Sequence, residues 1–373
     1  MSNFVYDEPV GEKQCFVGRQ KQLRTILDQL LHSRNVVLCG GPKTGRTSVL
    51  QKLMLMMKAL PQNTEGQRKI IPVYINLREI FDSRLNIVFE KLWNIMQEEF
   101  RAEGLIVEAQ GQGPRVKFSH GVEAFDEFEK HLQAVREAQQ GTKTWSSYAL
   151  FFDEADFLIE QNAIELLTRL ARLSDFKESW GPESIICTGG RRIRDYSLEP
   201  ASPLKNFRPH FLGALKVDEF AAILKPLNRF LSEPQLDAIE AASGRHPYVT
   251  QRICAEIAQL EGNDTLDKAL DNAADDLQNL FTCLWEEFDL DRGVTYKGVY
   301  AAPEHALMQL MQENITGVEL VWAEEELSIS PLKEYMEFLE FAGLVDRGLS
   351  GNTYLYSAKF DLWNYWYMQR LTI

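Results

Sequence analysis

Asn35-Val36-Val37-Leu38-Cys39-Gly40-Gly41-Pro42-Lys43-Thr44-Gly45-Arg46-Thr47-Ser48 carries a short apolar run into a glycine-rich loop. The run reads as a buried strand. The residues after it, Thr47 to Leu60, have helical periodicity, with Leu50, Leu53, Met54 and Met57 on one side. Strand, glycine loop and helix in that order form the setting in which a G-x-x-x-x-G-K-[ST] sequence cradles phosphate. Glycines let the backbone curl so that successive N–H groups between Gly40 and Ser48, Pro42 excepted, face phosphate oxygens, and the helix adds its positive end. Thr47 is then placed to ligate Mg²⁺ through its hydroxyl. Arg46 stands where the pattern has lysine. A guanidinium keeps the charge but is wide and planar, which favours phosphate binding over efficient hydrolysis. Lys43, inside the loop, is a substitute cation.

A second motif follows it in the chain. Tyr148-Ala149-Leu150-Phe151-Phe152-Asp153-Glu154 is an apolar strand that ends in two carboxylates. Asp153 reads as part of a Mg²⁺ shell, and Glu154 as the group that polarises the attacking water. Between and beyond these motifs the pattern alternates. Ile70 to Leu77 reads as a strand whose Pro72 places it at a sheet edge or a strand start, and Ser184 to Thr188 as another strand. Helical periodicity fills 85–101, 122–139 and 162–173. Such alternation predicts a parallel sheet covered by helices.

After about residue 200 the strand signals stop and amphipathic helices are expected over 217–228, 234–242, 248–261 and 266–284. From Pro303 three helices (304–313, 323–327 and 331–342) precede two short strands around Gly348-Leu349-Ser350-Gly351, a winged-helix pattern. The expected domains are 1–200 (nucleotide binding), 201–290 (helical lid) and 291–373 (winged helix). That fits a chain of 373 residues, long enough for two or three domains.

Composition narrows the function classes. Lys and Arg number 40 against 54 Asp and Glu, a net charge of −14, so the overall field repels nucleic-acid backbones. No apolar run approaches a membrane span, and the first residues lack the features of a secretory signal. The five cysteines are scattered and form no CxxC pair, as expected of reduced thiols in a cytoplasmic protein.

Phe16-Val17-Gly18-Arg19-Gln20-Lys21-Gln22, just before the loop, resembles the hhGRExE segment of prokaryotic STAND and archaeal-type ATPases of the AAA+ superfamily, with Gln20 where glutamate is usual. The resemblance covers roughly residues 14 to 365. It implies an adenine-end role for Val17 and Arg19. It implies a sensor position at Thr188-Gly189-Gly190-Arg191, where a polar or basic residue reports on the γ-phosphate; the cluster Arg191, Arg192 and Arg194 itself reads as a γ-phosphate sensor, an arginine finger or a solvated basic loop. It also implies a base contact from Pro247 in Ser243-Gly244-Arg245-His246-Pro247-Tyr248. The expected fold is α/β: a P-loop sheet domain, a helical lid and a winged helix. The expected cofactors are ATP or ADP with Mg²⁺, and the expected role is a slowly hydrolysing switch coupled to a protein partner in signalling or defence. Homo-oligomerisation stays open.

Two alternatives remain at this point, a DNA-acting AAA+ ATPase of replication-initiator or transposition-regulator type, and a pseudo-ATPase scaffold. DNA is disfavoured, because the third winged-helix segment carries Glu334, Glu337 and Glu340 against Lys333, behind Glu324-Glu325-Glu326. The aromatic C-terminus (Tyr354, Tyr356, Phe360, Trp363, Tyr365, Trp366, Tyr367) is expected to be mostly core.

Overall fold

Three strands with uninterrupted apolar or small residues form the middle of the molecule's main sheet, because only such sequences tolerate burial on both faces. In the computed structural model these are β1 (Val36–Gly40), β3 (Ser146–Asp153) and β4 (Ser184–Gly189), and every residue in them is buried. β2 (Lys69–Asn76) and β5 (Arg208–Leu212) flank them in the order β2-β3-β4-β1-β5. The β2–β3, β3–β4 and β4–β1 pairs are parallel, with Asn76 opposite Asp153, Phe152 opposite Cys187 and Cys39 opposite Gly189. Their carboxyl ends therefore meet along one edge of the sheet, where open α/β sheets bind ligands. The structure describes residues 16–60, 69–103, 117–119, 123–138, 146–177, 179–227, 231–260, 265–288, 293–297, 299–314, 316–351, 353–358, 360–364 and 366.

The chain divides into two compact units. One holds Gln20–Cys39 and Arg46–His210, and the other holds Gly40–Gly45 and Phe211–Ile373 with the amino-terminal residues through Arg19. In the sheet unit the helices are α1 (Gln20–Leu31), α2 (Arg46–Lys58), α3 (Leu77–Ile80), α4 (Leu85–Ala102), α5 (Glu123–Ala138), α6 (Asp156–Glu160), α7 (Ile164–Arg172) and α8 (Arg191–Leu198). α4 and α5 meet through an aromatic cluster in which Phe89 lies 5.3 Å from Phe128 and Trp93 stacks on His131. Leu23, Ile26, Leu50, Leu53, Leu92 and Leu170 complete the buried faces.

After residue 211 the second unit has helices α9 (Val217–Leu224), α10 (Glu233–Ser243), α11 (Pro247–Ile257), α12 (Leu266–Asp276) and α13 (Gln278–Glu286). After the hairpin β6 (Val294–Tyr296) and β7 (Val299–Ala301) come α14 (Pro303–Glu313), β8 (Val318–Glu319), α15 (Leu320–Leu327), α16 (Lys333–Phe341), β9 (Val345–Ser350) and β10 (Thr353–Ala358). β8, β10 and β9 form a three-stranded antiparallel sheet, with the turn at Gly351 in the left-handed region. Phe281, Phe338, Phe360 and Trp363 are fully buried there, whereas Tyr354 is exposed on the hairpin. Tyr365 and Tyr367 lie outside the described residues.

Three sequence expectations need correction. β5 exists where no strand was expected, because Pro209 and the polar Arg208 and His210 hide it, and four of its five positions are not buried. The expected 266–284 helix is two helices, which part at Leu277. The β6–β7 hairpin and β8 carry too few residues to show a period.

β3 is the strand on which the sheet unit depends most. Phe151→Ala is expected to lower unfolding free energy by about 3–5 kcal/mol through lost burial and a cavity. Urea denaturation of the two proteins measures it, and a loss below 1 kcal/mol would contradict the buried placement.

Candidate functional site

β1 delivers the chain into the glycine loop, and Arg46, Thr47 and Ser48 form the first turn of α2. At the carboxyl end of β3, Asp153 is 2% exposed and accepts hydrogen bonds from four donors. Thr47 Oγ1 (2.7 Å) and the Tyr74 hydroxyl (2.9 Å) bond to Oδ2. The Thr188 hydroxyl and the Glu154 N–H (3.0 Å) bond to Oδ1. Burial, and then the negative charge of Asp153, push the Tyr74 phenol well above its ordinary range, so it stays a donor. A hydroxyl and a carboxylate side by side make a hard oxygen pair, the donor type that Mg²⁺ takes. Thr47 and Asp153 are thus brought together as the motif requires.

Glu154 has a left-handed backbone (φ 56°) immediately after the strand, a strained state for a residue with a side chain. Its carboxylate lies 2.6 Å from Arg78 Nε, close enough for an ion pair but without the alignment of a hydrogen bond. Arg78 sits in α3, two residues past the end of β2, and its guanidinium covers the Phe157 ring. The sequence reading missed Arg78. The parallel register of Asn76 with Asp153 is what places it, and a sequence does not show strand order.

Near the end of β4, Thr188 is fully buried and its carbonyl accepts from the Ala155 N–H (2.8 Å). Arg191 opens α8, where its Nε lies 3.5 Å from Asp195 one turn along. Arg194 is buried and paired to the same carboxylate, and Arg192 lies 3.8 Å from Glu160.

In the other unit the first half of the loop is held by its carbonyls. Gly41 O accepts from the Thr44 hydroxyl (2.8 Å) and the Thr44 N–H (3.3 Å). Pro42 O accepts from His246 Nε2 (3.2 Å), and Thr44 O from Arg19 Nη2 (3.3 Å). A planar trans peptide sets each carbonyl opposite the next N–H, so the amides of Lys43 and Gly45 point away from these anchors. Lys43 (φ 58°) and Gly45 (φ 93°) supply the left-handed turns. Lys43 is exposed, its ammonium 5.3 Å from the Tyr248 ring centre. Gly41 has no room for a side chain, because a Cβ would lie 2.9 Å from Ala342 Cα just past α16.

Arg19 is buried and also donates to Gly213 O (2.7 Å), while its own N–H bonds to Glu219. Burial lowers its pKa to about 10 against the opposing pull of Glu219, so it remains a cation. Its guanidinium is thus engaged with backbone carbonyls. Val17 is half-buried two residues earlier, and Pro247 is buried at the first position of α11. His246 is fully buried and stacks on Phe360. With Nε2 donating to Pro42, Nδ1 is a buried acceptor that no protein donor reaches. Among the described residues no group of three or more His, Cys, Asp or Glu is arranged to hold a metal, and no helix is long and apolar enough to cross a membrane.

No family model matches the chain, and no curated protein matches it. Solved structures do. The Walker-type ATPase PABY2304 of Pyrococcus abyssi superposes with a TM-score of 0.60 at 16% identity, over 97% of this chain and 99% of that one. The fold is a P-loop ATPase fold. A RuvB variant of Thermotoga maritima (TM-score 0.40, 14% identity, 96% and 98% covered) and AMPPCP-bound DnaA from Aquifex aeolicus (0.40, 14%, 90% and 92%) resemble it more loosely.

His246 gives this P-loop unit a pH signature. Burial, then the nearby Arg19 charge, lowers its pKa to about 4 against the raising effect of the Pro42 contact. Unfolded, it would take a proton near pH 6.5. Between those values the unfolded chain binds more protons, so stability falls as pH falls, by ~1.4 kcal/mol per pH unit for one such group. His246→Gln is expected to be less stable than the native chain at pH 7, with the gap narrowing toward pH 4.5. Denaturant titrations across that range measure it, and a constant gap would contradict the buried neutral imidazole.

Proposed function

We propose that this protein is an ATP- or ADP-binding switch of STAND or archaeal-ATPase type that hydrolyses ATP slowly and passes its nucleotide state to a protein partner in the cytoplasm. The observation that carries the reading is the Thr47–Asp153 hydrogen bond. It joins the helix after a glycine loop to the carboxylate ending β3, one strand removed from β1 in the sheet, on a P-loop ATPase fold. The inward-bonded carbonyls at 41, 42 and 44 support it, since they leave the Lys43 and Gly45 amides free of those anchors, as a phosphate nest requires.

In this reading Gly40 to Ser48 hold the phosphates, and Thr47 and Asp153 hold Mg²⁺. The metal would supply neutralisation of phosphate charge. Glu154 orients water once its carboxylate leaves Arg78, and Arg191 faces the terminal phosphate. Slow turnover follows from three features: arginine at position 46, a base tied into an ion pair, and strain at that base. The switch rests on the lid and the C-terminal helices, which we read as a winged helix. The Gly41–Ala342 approach, the His246–Phe360 stack and the Arg245–Asp346 ion pair bind that segment to the loop and lid. Its α16 exposes Glu334 beside the Lys333–Glu337 pair, which favours a protein over DNA as the partner.

Calorimetric titration with Mg²⁺–ATP and Mg²⁺–ADP tests the site. The native chain is expected to bind both, and Gly45→Val to bind neither, because position 45 needs φ 93° and valine does not adopt it. Undiminished binding by that variant would remove the loop from the site. Glu154→Gln is expected to keep binding while single-turnover hydrolysis falls by about 10²-fold or more. Equal rates would remove Glu154 from the chemistry.

A further inference from the structure

Asp156 lies three residues beyond Asp153, at the start of α6, and no role described above uses it. Its place is fixed by backbone. The Gly190 N–H and the Ile193 N–H (2.8 Å) both donate to it, and a Cβ on Gly189 would come within 2.7 Å of its Oδ2. The third donor is Arg46 Nη1, 3.4 Å from Oδ2. Both side chains are largely buried, with 24% and 17% of their surface exposed, so solvent screens the pair only in part.

The loop cation is therefore shared. A phosphate at this loop would meet a guanidinium already paired with a carboxylate that backbone donors hold in place. We propose that Asp156 is a counter-ion that competes with nucleotide phosphates for Arg46 and so sets nucleotide affinity. This rests on the reading of the loop as a nucleotide site. The arginine matters to it. Its terminal nitrogens sit one atom farther from the backbone than a lysine ammonium, and its fork lets one arm stay on Asp156. Lysine at the same position is shorter and has a single ammonium to commit.

Four proteins test this with Mg²⁺–ADP as the probe in calorimetry: the native chain, Asp156→Asn, Arg46→Lys, and the double variant. Asparagine keeps an acceptor for the Gly190 or Ile193 amide while losing the charge. In the arginine background Asp156→Asn is expected to tighten ADP binding about five- to tenfold. In the lysine background the same change should alter it less than twofold. An effect that acts through the structure of the β4–α8 connection, or through the general field, would be equal in both backgrounds, and equal factors overturn the proposal. Arg46→Lys leaves all the backbone bonds of Asp156 in place, so it gives a readout even if Asp156→Asn does not fold. It should tighten ADP several-fold by itself, and unchanged or weaker binding overturns the proposal. Absence of saturable ADP binding in every protein, the native chain included, takes down the nucleotide reading and the counter-ion with it. Binding with equal factors takes down the counter-ion alone.

Discussion

The carboxylate of Asp153 is the point on which the carboxyl edge of the sheet is assembled. A buried anion is costly unless its charge is spread over donors, and here four donors come from α2, β2, β4 and its own chain. Each donor fixes the end of a different element. Thr47 sets where α2 begins relative to β3, Tyr74 ties in the flanking strand, and Thr188 sets the neighbouring one. The Glu154 amide closes the cluster and turns the next side chain into its left-handed position. Removal of any one donor leaves the others to carry an undiminished charge, so the four positions constrain one another.

A second kind of constraint holds the loop's first half. There the acceptors are backbone carbonyls, and the donors are Arg19, His246 and the hydroxyl and N–H of Thr44. Arg19 bridges Thr44 and Gly213, and His246 takes Pro42. Glycine is required at 41 by the approach of Ala342, and at 213 because a Cβ would lie 2.9 Å from the Glu340 carbonyl oxygen. Both close contacts involve the end of α16. The end of α16 is thus engaged with the glycine loop and with the chain at Gly213.

Much of the fold was legible because its central strands leave little choice. Asn35 to Ser48 and Tyr148 to Glu154 each combine a run that must be buried with a terminus that must be polar, and few structures satisfy both. Pro72 pointed to a sheet edge or a strand start, and β2 is an outer strand with Pro72 inside it. β5 was hidden because Arg208, Pro209 and His210 are compatible with a loop, and only the unpaired side of β1 makes them a strand. Within the site, local sequence located the loop and the two carboxylates. It could not locate Arg78, whose meeting with Glu154 depends on β2 lying beside β3. Asp156 left one signal, a third carboxylate at the opening of a helix, but its pairing with Arg46 across 110 residues is a tertiary fact. Arg19 shows the reverse. Its importance was visible in the motif, while its bonding to carbonyls was not.

The two prolines of the main sheet have a consequence for association. Pro72 lies in β2 and Pro209 in β5, the two outer strands, whereas β3, β4 and β1 contain none. Each outer strand therefore lacks an amide donor that an added strand would need, and β5 also carries the charge of Arg208. The sheet cannot be extended in register at either margin without leaving an acceptor unmatched. Copies of this chain are thereby discouraged from joining edge to edge into a continuous sheet, the usual hazard of an open α/β architecture during folding and at high concentration.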